Sequence, residues 1–403
     1  MPTVVPYIPS TITVHLGLPD QWAENVTVSF PDYVKNVASS EIYPTWEPAA
    51  IRANVLAIIS FALNRVYTEF YPSRGYDFQI TSTTAYDQKF IKGRNVFENI
   101  AQVVDEIFND YIRRKGYVEP LAAKFCNGTT ATCDGLSQWG SQELAQAGYD
   151  SMSILRYYYG DDIELVTNAP IQDVTQSYPG TPLRLGSVGS DVVILQTMLN
   201  RVAQNYPAIP RITPALGVFN QETEDSVRQF QRIFNLTPDG VVGKATWYKL
   251  VYLYVGVNQL SELVSQGQTF YNVQFLFPGV LQEGDRGEGV QVLQYMLALL
   301  AEFDQALRSV QVDGVFGSVT AQAVRYYQQQ VGLAADGVVG PATWNSIYRH
   351  FIAAERDLQN MDGAQRSGGG AAAAAAMGAA GTVQYPGRPL EPQEAAGREA
   401  VQV

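Results

Sequence analysis

One stretch of this chain is written twice. Leu183, Gly186, Gly189, Val192, Leu195, Gln196 and Leu199 return 98 residues later as Leu281, Gly284, Gly287, Val290, Leu293, Gln294 and Leu297. After a one-residue gap the match resumes at an offset of 97. There Gly217, Phe219, Thr223, Val227, Gln231, Leu236, Asp239, Gly240, Gly243, Thr246 and Trp247 return as Gly314, Phe316, Thr320, Val324, Gln328, Leu333, Asp336, Gly337, Gly340, Thr343 and Trp344. Eighteen identities in one register require two small units of one fold, at 183–251 and 281–351, joined by a connector at 252–280. Each copy reads as three short helices. Asp239-Gly240 and Asp336-Gly337 are turn dipeptides, in which glycine accepts positive φ. Thr223, Thr246, Thr320 and Thr343 precede helical runs and are expected as N-caps. The leucines, Phe219/Phe316, Phe230/Tyr327 and the two tryptophans supply the expected cores, and copy one carries a proline-rich insert from Tyr206 to Leu216.

Upstream the pattern changes. Thr11 to Leu16 and Val26 to Phe30 alternate as half-buried strands do. After Pro31 a helical face of Tyr33, Val34 and Val37 begins, and Pro44 and Pro48 interrupt it. Ile51, Val55, Ile58, Ile59, Ala62 and Val66 then form one apolar stripe, and Val96, Ile100, Val103, Ile107 and Tyr111 signal a third helix. Apolar runs from Val118 to Phe125 and from Ile163 to Val166 read as returning strands. The expectation is an α+β domain over 10–166, then a linker at 167–182, the two all-α repeats, and a low-complexity, disordered tail at 363–403.

Composition removes several functions. A net charge of −12 gives no field for gathering phosphate backbones, so no nucleic-acid partner is expected. No run approaches the roughly 18 apolar residues of a membrane span. Residues 1–30 contain four prolines, no Lys or Arg and no apolar core segment, so a secretory signal is not expected. On that reading the chain is made and kept in the cytoplasm.

The repeats resemble the peptidoglycan-binding domain of the three-helix type found beside bacterial wall hydrolases. The residues that carry this are LQEGDRGEGVQVLQ and VDGVFGSVTAQAVRYYQQQVGLAADGVVGPATW, between Leu281 and Trp344. Copy one departs at Leu216 and Asn220, where the family prefers Asp and Gly. The resemblance implies wall glycan strands or muropeptides as partners.

The first domain resembles the SpoIID/LytB family, whose members act on peptidoglycan during sporulation or enhance wall amidases. Three segments carry it: Asp32 to Leu63, Thr84 to Gly93, and Cys133 to Asp161, with Glu-x-x-Pro-x-Trp at Glu41 and Gly-Leu-Ser-Gln-Trp-Gly at Gly135. The resemblance implies that Glu41 is the general acid/base of a lytic transglycosylase, with a wall amidase as a further partner. It also implies a mother-cell or spore-associated setting. Ile59 stands where the family commonly has Arg, and Thr132 where many members have His. These departures keep a non-catalytic scaffold or amidase-enhancer role as the alternative.

Glu41 falls where the first helix should end, so its carboxyl projects from a helix terminus. A general acid near neutral pH needs a raised pKa, which Tyr43, Trp46 and Glu47 are placed to supply. Tyr86, Asp87 and Gln88, with Ser137, Gln138 and Trp139, combine polar groups with aromatics as sugar-binding clefts do. Cys126 and Cys133 leave three readings: a disulfide, two free thiols, or a metal pair completed by carboxylates. Free thiols are the default in a reducing compartment. The histidines, His15 and His350, are distant in sequence, and neither metal nor cofactor is expected.

Overall fold

The computed structural model describes residues 6–367 except 175, 214, 216, 269–274, 276, 305–306 and 308–309, with side chains as far as 354. Leu216 and most of the tail expected at 363–403 lie outside the described residues. The chain divides into two compact units, 1–273 and 274–403.

The first unit opens with β1 (Ile8–Pro9), β2 (Thr11–His15) and β3 (Asn25–Ser29). Helix α1 (Phe30–Glu41) follows, then α2 (Pro48–Tyr67), a 3-10 turn at Pro72–Arg74, and β4 (Ile80–Thr81). Strand β2 pairs antiparallel with β3 and parallel with β4. Ser29 caps α1 by accepting from the Asp32 N–H, and Pro31 fits the first turn, where no donor is needed. The helix stops at Glu41: Ile42 is extended, and Pro44 disfavours helix at Tyr43 just beyond it.

Helix α2 is the core of the domain. Its expected stripe widens to all sides, since every residue from Ala53 to Tyr67 is buried. The helical stretch Pro48–Arg74 has the length and apolarity to cross a membrane, yet 89% of its apolar window is buried inside the first domain. Helix α3 (Glu98–Ile107) is shorter than expected, and Tyr111 opens β5 (Tyr111–Arg114) instead. Tyr111 faces the core in either geometry, so its apolarity does not distinguish them. Residues 118–124 carry no strand; pairing is confined to β6 (Phe125–Cys126) beside β7 (Leu136–Ser137). After α4 (Gln138–Gln146) and α5 (Ser151–Tyr159), β8 (Ile163–Val166) pairs antiparallel with β5.

The segment expected as a linker is tied down. Within it β9 (Ile171–Gln172) pairs parallel with β1, and the Ser177 N–H donates to Glu69 Oε1 at 2.8 Å. The first repeat then supplies α6 (Ser190–Asn205), α7 (Gln221–Ile233) and α8 (Lys244–Val257). Its exit also returns to the first domain. Asn64 Nδ2 donates to the Leu260 carbonyl at 2.8 Å, and Glu119 accepts from Ser265 Oγ (2.7 Å) and the Gln268 N–H (2.9 Å).

The second unit repeats the three helices as α9 (Glu288–Leu300), α10 (Ser318–Gln330) and α11 (Pro341–Ser367). The shared residues have an internal explanation. In copy two the buried Gln328 amide receives the Gly337 N–H on Oε1 (2.9 Å), and its Nε2 donates to Asp336 Oδ1 (2.9 Å) and the Val338 carbonyl (3.0 Å). Gln231 makes the same clamp with Gly240, Asp239 and Val241. Gly240 and Gly337 sit at φ 76° and 78°, which only glycine enters cheaply. The threonines are not the caps they were expected to be. Asn220, Gly243 and Gly317 occupy three of those cap positions, and Thr223, Thr246, Thr320 and Thr343 accept the buried glutamine amides. Each core tryptophan is satisfied from just upstream of its repeat: Trp247 Nε1 donates to Ser177 Oγ (2.8 Å), and Trp344 Nε1 to the Phe275 carbonyl (3.1 Å).

Candidate functional site

Glu41 ends α1 partly buried, with both carboxylate oxygens held. Oε1 accepts the Lys89 N–H at 2.9 Å, and Oε2 accepts from Gln138 Nε2 at 3.3 Å. Burial pushes its pKa above the usual carboxylate value, against the lowering effect of these two donors and the Lys89 charge. The expected contribution of Glu47 is absent from the causes of this shift; that side chain is exposed, and its N–H is taken by Gln142 Oε1 at 2.8 Å.

Gln138 is aimed by its helix. Ser137 caps α4 by accepting the Gly140 N–H at 3.0 Å, and Asn54 of α2 donates to Ser141 Oγ at 2.7 Å. Pattern reading did not flag Asn54, Gln142 or Lys89. Lys89 acts through its backbone, which no side-chain pattern reveals. Asn54 and Gln142 were visible only as polar positions inside helical runs.

Tyr86, Asp87 and Gln88 are not a sugar-facing set. The Asp87 side chain is fully buried and accepts from Arg65 Nε (2.8 Å), Thr81 N (2.9 Å), Thr81 Oγ1 (2.7 Å) and the Tyr71 hydroxyl. Gln88 is buried too, accepting from the Tyr33 hydroxyl at 2.9 Å and donating to the Ile58 carbonyl at 3.1 Å. Both side chains are buried away from solvent and hydrogen-bonded within the fold, so neither faces a ligand. Their effect is to fix the backbone that presents the next amide, Lys89 N–H, to Glu41. Tyr86 alone of the three is exposed.

An aromatic shelf adjoins Glu41 in the chain. Tyr43, Trp46 and Trp139 meet with ring centroids 5.1–5.7 Å apart, Tyr43 being 54% and Trp139 40% exposed over the buried Trp46. Such faces can stack on a sugar ring. Cys126 and Cys133 form a disulfide, so the free-thiol default and the metal pair both give way. The Asn127 carbonyl in the closed loop accepts the Trp139 N–H at 3.2 Å, which ties the loop to the start of α4. Among the described residues no group of three or more His, Cys, Asp or Glu side chains gathers to hold a metal. His15 is locked in the fold, with Nδ1 2.7 Å from Asn25 Oδ1 and Nε2 3.0 Å from the Gln21 carbonyl. His350 Nδ1 lies 2.7 Å from the Tyr327 hydroxyl. Ile59 is buried in α2, and Thr132 is exposed.

Residues 188–250 and 286–347 each match the family described as "Putative peptidoglycan binding domain". The chain is similar to the N-acetylmuramoyl-L-alanine amidase CwlL of Bacillus licheniformis, 31% identical over 41% of this chain and 44% of that protein. It is 41% identical to the zinc D-Ala-D-Ala carboxypeptidase of Streptomyces albus G over 19% of this chain and 28% of that protein. A spore cortex-lytic enzyme of Halalkalibacterium halodurans is 40% identical over 15% of this chain and 17% of that protein. A solved peptidoglycan-binding protein of Clostridioides difficile, in complex with glutamine hydroxamate, is 40% identical over 18% of this chain and 42% of that chain, with a TM-score of 0.16. The chain spans less than half the length of each of these. The matches support peptidoglycan binding by the two repeats.

Proposed function

We propose that the first domain is SpoIID-like and cleaves peptidoglycan glycan strands as a lytic transglycosylase, while the repeats hold it on the wall. The observation that carries this reading is the setting of Glu41: partly buried, raised in pKa and next in sequence to an exposed aromatic shelf. A raised pKa keeps a protonated fraction available at higher pH, which a general acid needs. The Glu41 carboxyl would give its proton to the leaving glycosidic oxygen as oxocarbenium character builds. The carboxylate so formed would take the proton of a muramic acid 6-hydroxyl, whose oxygen closes a 1,6-anhydro ring. No water and no enzyme nucleophile enter, so one carboxylate suffices. Tethering through two wall-binding modules raises the local concentration of an insoluble substrate.

The test is mass analysis of the products from purified wall glycan incubated with the intact chain. Anhydro-muropeptides released by the wild type and lost in Glu41→Gln support the reading. Soluble products absent from the wild type refute it.

The second reading is a non-catalytic scaffold or amidase enhancer at the wall, and Ile59 and Thr132 favour it. The residue that replaces the family's usual Arg is an uncharged side chain buried in α2. Relatives named as amidases act on the same polymer, which suits a partner role beside such an enzyme. This reading predicts wall pull-down unchanged by Glu41→Gln and no soluble products. The working compartment is part of the proposal. A disulfide at Cys126–Cys133 favours an oxidising site at the wall or spore envelope over the reducing cytoplasm.

A further inference from the structure

The first unit holds a further cleft, one that the reading of Glu41 does not use. Between the turn Pro72–Arg74 of the first domain and α8 of the first repeat lies a cleft of about 970 Å³. Arg74, Lys244 and Lys249 line it together with Tyr76, Tyr248 and Tyr252. Three cations converging on one cleft stand out in a chain of net charge −12. Among the described residues the ion pairs engage other cations, and none of these three has a carboxylate at ion-pair distance.

The cations are positioned by aromatic rings instead. The Arg74 guanidinium lies 3.7 Å from the Phe70 ring centroid and 4.9 Å from that of Tyr252, and it donates to the Phe70 carbonyl. The Lys249 ammonium is 5.3 Å from the Tyr252 ring centroid, and that of Lys244 is 5.9 Å from the Tyr248 ring centroid. Such contacts fix a cation while leaving N–H donors free. Partial burial lowers the pKa of Arg74, whose side chain still reaches solvent at the cleft. Three carboxylates lie near: Asp20 accepts the Tyr76 hydroxyl, and two others are held by neutral donors. Asp77, on the rim, accepts from Asn25 Nδ2 at 2.8 Å, and Glu69, on the Tyr248 side, accepts the Ser177 N–H at 2.8 Å.

We propose that this cleft binds a carboxylate-bearing muropeptide, its acid groups on Arg74, Lys244 and Lys249 and its less polar part on the tyrosine rings. The tyrosines favour an amphipathic organic acid over a bare phosphate. Because one wall comes from each module, an occupied cleft would brace the first repeat against the first domain. The inference rests on the wall-binding reading for the source of the ligand, and it is independent of chemistry at Glu41.

The test is calorimetric titration of the full chain with three probes: a soluble disaccharide-tripeptide with free carboxylates, the same compound amidated, and inorganic phosphate. The free acid should bind at least about tenfold more tightly than the amidated form or phosphate, as loss of charge-assisted hydrogen bonds dictates. Arg74→Gln/Lys249→Gln should weaken free-acid binding by about tenfold or more, and Lys244→Gln, at an exposed position, should weaken it without touching the fold. Equal binding of the acid and amidated probes, binding unchanged in both variants, phosphate binding as tightly as the muropeptide, or no binding of any probe would each overturn the proposal. Product release from wall glycan reports separately on Glu41, so either idea can fail alone.

Discussion

Replacing Asp87 by Asn keeps the shape of the side chain and removes its charge. The native carboxylate has no solvent exposure and accepts four hydrogen bonds, one of them from Arg65, whose own side chain is 7% exposed. Asparagine offers one acceptor oxygen and turns an N–H group toward donors, so Arg65 is left charged and without a counter-ion. Stripping one partner from a buried ion pair costs about 3–5 kcal/mol. That is a large share of the roughly 5–15 kcal/mol that holds a domain folded. With a urea slope of about 2–3 kcal/mol per M, the midpoint should fall by about 1–2.5 M. Urea unfolding followed by tryptophan fluorescence measures this, with wall binding normalised to the folded fraction in parallel. A side chain that served a sugar would behave oppositely. Stability within about 1 kcal/mol of wild type, together with a collapse of glycan affinity, would refute the structural role assigned to Asp87.

Glu41→Gln should lower anhydro-product release by at least about 10²-fold, read by mass analysis, because it removes the acid and the base together. It should also shift stability in a pH-dependent way, on top of a pH-independent cost from turning an amide N–H toward one of the two donors that Glu41 accepts. Since the folded pKa is raised, the carboxylate costs stability above that value and nothing below its ordinary 4.5; the pH-dependent gain relative to wild type in thermal melts therefore appears only as pH rises past about 4.5. Reducing Cys126–Cys133, whose members are seven residues apart, should cost about 2.5 kcal/mol by loop entropy, seen as a melting shift confined to the first unit. Ser177→Ala leaves the buried Trp247 N–H without its acceptor and should cost about 1–3 kcal/mol in chemical denaturation.

The repeat was legible because identity at a fixed offset needs no structural knowledge, and Asp-Gly turns and buried tryptophans follow from residue chemistry. The end of α1 at Glu41 and the strand at Ile163–Val166 were legible for similar reasons: a proline stop and a clean apolar run. What failed to show were long-range polar pairings. Asp87 looked available because its partners, Arg65 and Tyr71, lie 22 and 16 residues upstream in a different element and in a turn. The threonines looked like caps because a residue three places into a helix and the cap itself carry the same composition. The stretch 167–182 looked like a linker because a two-residue strand and one buried serine leave no periodicity to read.

The same clamps constrain how the repeats can recognise the wall. Many of the identities common to both copies go inward: Gln231 and Gln328 to the turns, the threonines to the glutamines, Trp247 and Trp344 to their cores. A residue spent on its own fold has no donor or face left for a ligand. Positions where the copies differ are therefore the ones at which the two modules can differ in their contacts with peptidoglycan. The two modules need not bind the same feature of the wall or bind it equally. In the first repeat, Lys244 and Lys249 on α8 face a cleft whose other wall belongs to the first domain. The corresponding positions in α11 of the second repeat are Pro341 and Ser346, which carry no charge. On the proposed reading of that cleft, only the first copy carries the cations for an acidic group, so the two modules would differ in what they hold.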